Sequence, residues 1–256
     1  MKTFTYLKIC CVALLTGLFS TANAQFSVVL FEDFEDGTLP TAWSRTQASG
    51  SDGWEFGVSS YTSTFWDIPA HPDGGMFTAS NDDECNCDAS TDALYTPVMD
   101  WTPYDSVAFI FDAFYDGLGS GVASVDISFD GGSSWTQYGI PADPSWQEAL
   151  GIVFDPAIDG AFTNQMVLRF FYNDNSTWAY GFAVDNVVAL GYRDVCSEMQ
   201  TISSCNSPQT YTLEGPGDFY WDFDECFSSP GMEQVYEFTA PSTGTYNIEV
   251  TSTNSE

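Results

Sequence analysis

Two polar residues, Asp185 and Asn186, interrupt an apolar stretch that runs from Phe182 to Leu190. Small and apolar side chains fill both alternating positions, which is typical of a β-strand covered on both faces. A carboxylate inside such a strand is costly unless an opposite charge or hydrogen-bond donors compensate it. Because the chain has few cationic side chains, we expect Asp185 to help bind a metal ion that ties this strand to the first one.

Other clusters of hard oxygen donors occur at Glu32-Asp33 with Glu35-Asp36, at Asn81-Asp82-Asp83-Glu84 with Asp88, and at Asn173-Asp174-Asn175. Calcium takes about six to eight such oxygens in flexible geometry, so calcium is the predicted cofactor. Solvated acidic turns are the alternative, and they account for any single cluster taken alone. Glu32 and Asp185 fit that alternative less well, because both sit inside apolar strands.

Catalytic machinery is hard to assemble from these residues. His71 is the only histidine, which excludes zinc sites built on two or three imidazoles. It lies between Pro69 and Gly75, in a loop where we expect it to be exposed at the surface. No G-x-S-x-G elbow is present, and a carboxylate pair of glycosidase type cannot be read from so acidic a chain. The sequence therefore predicts a protein that is not an enzyme.

Exposed aromatic side chains could offer a platform for sugars. Trp66 precedes His71 in its loop, and Trp178 precedes the apolar stretch described above. Trp66 and Trp178 are therefore the candidate glycan-stacking residues. The alternative is that these rings pack in the core or at its rim, as aromatic residues of all-β proteins commonly do.

The first 24 residues have the features of a secretory signal peptide. A basic start is followed by an apolar run from Ile9 to Phe19 and by Ala22-Asn23-Ala24, an A-x-A cleavage signal. Cleavage there removes both lysines and leaves three arginines against 36 acids, so the formal charge falls from −31 to −33. We expect an extracellular protein that binds neither nucleic acid nor anionic membranes, with no membrane insertion after cleavage.

Five of the seven cysteines lie after the signal: Cys85, Cys87, Cys196, Cys205 and Cys226. Export favours disulfides, and a bond between Cys196 and Cys205 is the first choice. The odd number leaves either one free thiol or a partner outside this sequence. Spacing does not decide whether Cys85 and Cys87 form a local bridge.

The fold class predicted from the pattern is all-β, a two-sheet antiparallel jelly-roll sandwich followed by a second, apparently truncated β-sandwich. Short alternating or apolar blocks are separated by Gly and Pro, and no helix is convincing. Asp130-Gly131-Gly132-Ser133 is predicted to form a hairpin loop. The predicted strands are 26–34, 54–59, 75–80, 93–98, 106–115, 124–129, 135–139, 146–153, 165–172 and 181–190.

The pattern changes after Leu190, and the predicted domains are residues 25–192 and 193–256. The segment from Cys196 to Asp224 is polar and lacks alternation. Regular alternation returns at residues 234–239 and 245–250, which predicts a hairpin of a second small sandwich.

Several motifs in order resemble the cleaved-adhesin, or choice-of-anchor J, domain family of MAM-like jelly rolls. They are Leu30-Phe-Glu-Asp-Phe-Glu-Asp-Gly37 with Pro40 and Trp43, Ser80 to Asp88, Leu94-Tyr-Thr-Pro97, Tyr104-Asp-Ser-Val107, Val125 to Trp135 and Trp178 to Val187. The match spans residues 26–191. The region from Cys196 on resembles a pre-peptidase C-terminal-type sandwich, through Glu237 to Tyr246.

This resemblance implies a calcium-stabilised module for adhesion or binding, exported by bacteria through the type IX route to the medium or cell surface. Carried over by position, the implied metal ligands are Glu32, Asn81, Asp82 and Asp185, with Asn186 where the family usually has a second aspartate. The implied partner is an extracellular protein or a glycan. The alternative function is a carbohydrate-binding module attached to a secreted hydrolase or protease. The sequence predicts no oligomeric state.

Overall fold

The computed structural model describes residues 24–62, 66–85, 87–194, 200–202, 236–240 and 242–246. Among them, residues 26–193 form one compact unit, and the others belong to a second unit. Most of the second unit, residues 1–23 of the predicted signal peptide and Cys196, Cys205 and Cys226 lie outside the described residues, so the domain limits and the pairing of these three cysteines stay predictions.

Among the described residues nearly all regular secondary structure is β-strand, as the sequence predicts. In chain order the elements are β1 (Ala24–Glu32), β2 (Ser44–Thr46), β3 (Trp54–Val58), β4 (Tyr61–Thr62), β5 (Asp67–Ile68), β6 (Phe77–Asn81), α1 (Asp82–Cys85), β7 (Asp92–Tyr95), β8 (Ser106–Tyr115), β9 (Val122–Ser128), β10 (Thr136–Gly139), β11 (Asp143–Phe154), α2 (Pro156–Asp159), β12 (Val167–Asn173), β13 (Gly181–Asp194), β14 (Gln200–Ile202) and β15 (Tyr236–Phe238).

Two sheets build the sandwich of the first unit. One is six-stranded, with the order β11-β8-β13-β6-β3 and with β1 also paired to β13. The other is five-stranded, with the order β10-β9-β12-β7-β2. The register is antiparallel for the pairs β11–β8, β8–β13, β13–β6 and β6–β3 in the first sheet and for every pair in the second. In the second unit, β14 pairs with β15 in parallel, and the segment expected to form a hairpin with β15 lies mostly outside the described residues.

Each of the ten predicted strands overlaps an observed one, and the limits of β8 are those predicted. The predicted hairpin also forms: Gly131 and Gly132 take positive φ angles between the antiparallel strands β9 and β10. The structure adds β2, β4, β5 and β14, and two helices of four residues each. No helix of the described part of the chain is long and apolar enough to cross a membrane.

The main core lies between the two sheets and is rich in aromatic rings. From β8, Val107, Phe109, Phe111 and Ala113 point into it and are fully buried, as their alternation predicts. Phe170 of β12 lies at its centre, with its ring centroid 5.2 Å from that of Phe111 and 5.9 Å from that of Phe109.

A second, smaller apolar cluster covers the opposite face of the six-stranded sheet. Phe114 of β8 and Ala183 of β13 contribute to it from the sheet. The segment around β5 lies over them and contributes Trp66 and Ile68. The six-stranded sheet is therefore buried on both faces, which explains the nearly continuous apolar sequence of β13.

Phe170→Ala should lower the free energy of unfolding by about 3–5 kcal/mol, because it leaves a cavity among several rings. Urea denaturation followed by tryptophan fluorescence measures the change. Val153→Ala is the control, since Val153 is 55% exposed and its truncation should change the stability by less than about 1 kcal/mol. A similar loss in both variants would contradict a core centred on Phe170.

Candidate metal centre

Asp112 of β8 lies between two β-bulges. On one side Asp185 of β13 pairs with Asp112, but the next pair is Val188 with Ile110, so β13 carries an extra residue there. On the other side the register between β11 and β8 shifts between Gln147 and Leu150. Bulges of this kind bend a strand and redirect side chains, and they are frequent next to functional sites.

Each bulge contains a residue other than glycine with a left-handed backbone. Asn186 has φ of 50° and Ala149 has φ of 54°. The amide nitrogen of Ala149 donates a hydrogen bond to Oδ1 of Asp112 at 2.6 Å, and Nδ2 of Asn186 donates one to Oδ2 of Asp112 at 2.9 Å. The Asp112 carboxylate therefore stabilises both bulges.

Asp185 faces the same side of the sheet as Asp112 and is 1% exposed. Its Oδ1 accepts a hydrogen bond from the amide of Asn186 at 2.8 Å, whereas Oδ2 is buried and has no hydrogen-bond partner among the described residues. Burial raises the pKa of this carboxyl to about 7, with further raising contributions from Asp73 and Asp112 that are opposed by the Asn186 amide and by His71. An ionised Asp185 therefore needs a compensating charge.

His71 is the nearest group that can carry such a charge. Its Nδ1 lies 2.7 Å from Oδ1 of Asp73 and 3.7 Å from Oδ2 of Asp185. Its Nε2 lies 3.2 Å from Oδ2 of Asp112 but makes no hydrogen bond there. The ring is only 3% exposed and stands edge-on to Trp146 at a centroid distance of 4.6 Å. The expectation of an exposed histidine is therefore wrong.

Asp73 completes the cluster from the loop that follows His71. Its Oδ1 accepts a hydrogen bond from the amide of Gly75 at 2.8 Å, and its Oδ2 accepts one from Nδ2 of Asn186 at 3.0 Å. The Gly75 amide is the main cause that lowers the Asp73 pKa to about 2. Asp73 is therefore ionised at neutral pH.

One ligand atom each from His71, Asp73 and Asp185 lies within 4.8 Å of the other two. A cation bound at about 2.0–2.6 Å from its ligands fits between atoms at such separations. Oδ2 of Asp185 has no hydrogen-bond partner among the described residues, and the like charges of Asp73 and Asp112 raise the pKa of Asp185. These three residues are therefore the candidate metal centre.

Two of the four ligands predicted from the sequence, Asn81 and Asp82, lie away from Asp185. Asn81 pairs with Gly181 in the β6–β13 register, four residues before Asp185 on β13, which is a separation of roughly 13 Å along the strand. Asn81 and Asp82 are buried at the start of α1, where Oδ2 of Asp82 accepts a hydrogen bond from the amide of Ala179. Burial, together with Asp174, Asp83 and Asp92, raises the pKa of Asp82 to about 6.

Two further carboxylates near Asp82, those of Asp92 and Asp174, already accept hydrogen bonds within the protein. Asp92 accepts bonds from the hydroxyls of Ser51 and Ser80, and Asp174 accepts one from the amide of Ala89. This second acidic group fastens loops to the sandwich. It contains Asn81 and Asp82 but not Asp185.

Glu32, at the end of β1, accepts a hydrogen bond from the amide of Phe34 at 2.9 Å, and burial raises its pKa. No contact between Glu32 and Asp185 is found among the described residues. Glu35, three residues later, does reach the loop of Asp73, because its Oε1 accepts a hydrogen bond from the amide of Met76 at 2.7 Å. β1 and β13 are nevertheless neighbours in the sheet, as the predicted link between first and last strands requires.

The two predicted glycan-stacking residues differ in exposure. Trp66 is 3% exposed, packs near Phe114 and donates a hydrogen bond from Nε1 to Asp116 at 2.7 Å. It has no free face for a sugar, so packing explains it. Trp178 is 84% exposed.

The sequence does not predict that His71, Asp73 and Asp112 lie beside Asp185. Asp112 did carry a signal, since it is a charged residue in the middle of a strand that is otherwise apolar on both faces. His71 and Asp73 carried none, because a loop with two prolines and two glycines gives no periodicity from which its position could be inferred.

No family model and no curated protein matches this chain. Among solved structures, the K3 cleaved adhesin domain of Lys-gingipain from Porphyromonas gingivalis is 18% identical at a TM-score of 0.45, covering 65% of this chain and 99% of that one. The CBM22-2 xylan-binding domain of Paenibacillus barcinonensis Xyn10C is 14% identical at a TM-score of 0.38, covering 64% and 99%. A cyclase from Fischerella sp. TAU is 13% identical at a TM-score of 0.46, covering 66% and 98%.

These neighbours include adhesin domains and carbohydrate-binding modules, but also an enzyme. Their similarity concerns the fold alone, and at these TM-scores it carries no argument about function.

In metal-free protein, the free energy of unfolding should fall as the pH rises from about 4 to 7. The folded pKa of Asp185, about 7, exceeds the value of about 3.9 expected in the unfolded chain, so the folded state binds more protons in this range. Asp185→Asn removes this titration and should flatten the dependence.

Urea denaturation at several pH values in the presence of a chelator measures the slope. Asp52→Asn is the matched control, because Asp52 is an exposed carboxylate and its removal changes the net charge equally. Equal slopes for the wild type and Asp185→Asn would contradict the predicted role of Asp185.

Proposed function

We propose that this chain is a secreted, non-catalytic binding module of adhesion type whose β-sandwich is stabilised by a divalent cation at Asp185. The observation that carries the proposal is the buried Oδ2 of Asp185, which lacks a hydrogen-bond partner beside a second ionised carboxylate, Asp73. A divalent cation there supplies the charge that the side chains do not, and it joins β13 to the loop before β6.

Calcium is the cation we propose, because carboxylate oxygens of Asp185 and Asp73, with Asp112 and Asn186 adjacent, dominate the cluster. His71 is the exception, since an imidazole nitrogen suits transition metals such as zinc better than calcium. Calcium binding therefore requires that His71 stay outside the coordination shell.

The non-catalytic part of the proposal is supported by the placement of the only histidine. His71 is enclosed by Trp146 and three carboxylates, so a substrate cannot reach it as a general base. The secreted and adhesive parts are supported by the predicted signal peptide, the acidic composition and the motifs shared with cleaved-adhesin domains.

Chelation should lower the melting temperature, and calcium should restore it. A ligand present at a hundred times its dissociation constant contributes about 2.7 kcal/mol, which corresponds to roughly 5–11 °C for a domain of this size. Differential scanning fluorimetry of the chelated protein, titrated separately with calcium, magnesium and zinc, measures the shift.

Asp185→Asn should abolish most of the shift, whereas Asp52→Asn should keep it. His71→Gln should keep the calcium shift if the ligands are oxygens. Absence of a shift with every ion, or an undiminished shift in Asp185→Asn, would sink the cation proposal. A melting-temperature shift that occurs with zinc alone and is lost in His71→Gln would identify the bound ion as zinc instead of calcium.

A carbohydrate-binding module attached to a secreted hydrolase or protease is the second candidate, and the exposed ring of Trp178 favours it. Trp178 follows Asn175 and Ser176, which both have left-handed backbones, so its loop is tightly turned. Leu118 is 55% exposed on the neighbouring loop, which is joined to this one by the bridge between Gly119 and Ala179. An exposed indole ring is a surface on which a sugar can stack.

A further inference from the structure

The outer face of the five-stranded sheet carries one continuous row of polar side chains. The strand registers align one residue from each strand directly across the sheet, which gives the row Ser44, Tyr95, Arg169, Asp126 and Gln137. Five strands spaced about 4.8 Å apart make the row roughly 19 Å long. This face looks away from the main core, because the alternate residues Leu168 and Phe170 of β12 point into that core.

A network of hydrogen bonds fixes the centre of this row. Arg169 is bonded through Nε and Nη2 to Oδ2 of Asp126, both at 2.8 Å. Oδ1 of Asp126 accepts a hydrogen bond from the hydroxyl of Ser124 at 2.8 Å, and Nε2 of Gln137 donates to that hydroxyl at 3.1 Å. Asp126 is 2% exposed, whereas Gln137 is exposed. The buried carboxylate thus orients the polar groups that reach the surface.

Two aromatic rings lie against the guanidinium of Arg169. Its central carbon lies 4.3 Å from the ring centroid of Trp135 and 4.6 Å from that of Phe171. Tyr95 lies 5.9 Å from Trp135, and its hydroxyl is 3.2 Å from the hydroxyl of Thr46. The three rings are half-buried, so each keeps an exposed part. The stacked guanidinium loses little side-chain entropy when a ligand binds.

We propose that this face binds a neutral polysaccharide, with Arg169, Gln137 and Tyr95 bonding to sugar hydroxyls and Trp135 contacting a sugar ring. Planar polar groups beside aromatic rings match a sugar, which presents hydroxyls at its edge and apolar C–H groups on its face. The length of the row fits an oligosaccharide stretch better than a single sugar. The proposal rests on the proposed function only in taking the chain to be a binding module.

Charge selects the class of ligand. Arg169 is neutralised by Asp126, and the chain carries a formal charge of −31, so acidic glycans and nucleic acids are repelled. An extended peptide that adds to a sheet does so at an edge strand, where backbone groups are free. The polar row instead crosses the middle of the sheet on its face.

The test is affinity gel electrophoresis of the whole chain in gels containing barley β-glucan, arabinoxylan or galactomannan, with polygalacturonate as the acidic contrast. At least one neutral polymer should retard the protein, and polygalacturonate should not. Gln137→Ala and Trp135→Ala should each weaken the retardation at least tenfold in dissociation constant. Arg169→Lys should do the same, because lysine keeps the charge opposite Asp126 but loses the planar fork.

Val153→Ala is the control, because Val153 is 55% exposed on β11 of the other sheet, and its truncation should leave the retardation unchanged. Trp178→Ala tests the other candidate sugar surface. Circular dichroism and the melting temperature of each variant show whether a loss of binding arises from unfolding. Gln137→Ala is the variant least prone to unfold, because Gln137 is exposed. Absence of retardation by all three neutral polymers would overturn the proposal. So would retardation that survives Gln137→Ala and Trp135→Ala, or that is lost in Trp178→Ala.

The cation experiment is independent of this one, since it measures the melting temperature without polysaccharide. Failure of the glycan assay with an intact calcium shift rejects only the sheet-face proposal. Failure of the calcium shift with intact retardation rejects only the cation.

Discussion

The structure depends on how it accommodates two carboxylates, Asp112 and Asp185, side by side on adjacent strands in the middle of a buried sheet face. Neither can be placed there without donors or positive charge, because an uncompensated buried charge costs several kcal/mol. The protein supplies the backbone amides of Ala149 and Asn186 at the two bulges. It also supplies the side-chain amide of Asn186 and the ring of His71. That requirement accounts for the position of the loop that carries His71. It also accounts for the second apolar cluster beside this loop and for the contact of Trp146 with the His71 ring.

The strands could be predicted because their residues alternate or run apolar over enough positions to give a period. β8 is the best example, since the alternation of Val107, Phe109, Phe111 and Ala113 indicates one shared face, and that face points into the core. The turn at Gly131 and Gly132 was predictable for a similarly local reason, because only glycine adopts those angles without strain. The need of Asp185 for a partner was also visible in the sequence.

The identity of that partner was not predictable, since it depends on how non-periodic loops fold back. Asn81 and Asp82 looked equivalent to any other oxygen donors, and only the β6–β13 register shows that they lie four residues along the strand from Asp185. Trp66 illustrates the same difficulty, because a tryptophan in a loop has the same sequence pattern whether it covers a sheet or faces solvent. In the sequence Arg169 is one of three arginines and follows no pattern of its own, and its place in the cross-strand row depends on the pairing of five strands.

The two bulges beside Asp112 also act as a lock on strand alignment. Sliding β8 by one residue against its neighbours would turn its side chains to the opposite face, driving Asp112 into the ring-filled interior and Phe111 out of it. It would also separate the Asp112 carboxylate from the Ala149 amide and the Asn186 side chain at once. A strand apolar on both faces has little in its own pattern to forbid such a slip. Asp112, hydrogen-bonded from both neighbouring strands, therefore favours a single register for β8. A fixed register opposes mispairing of this long apolar strand during folding.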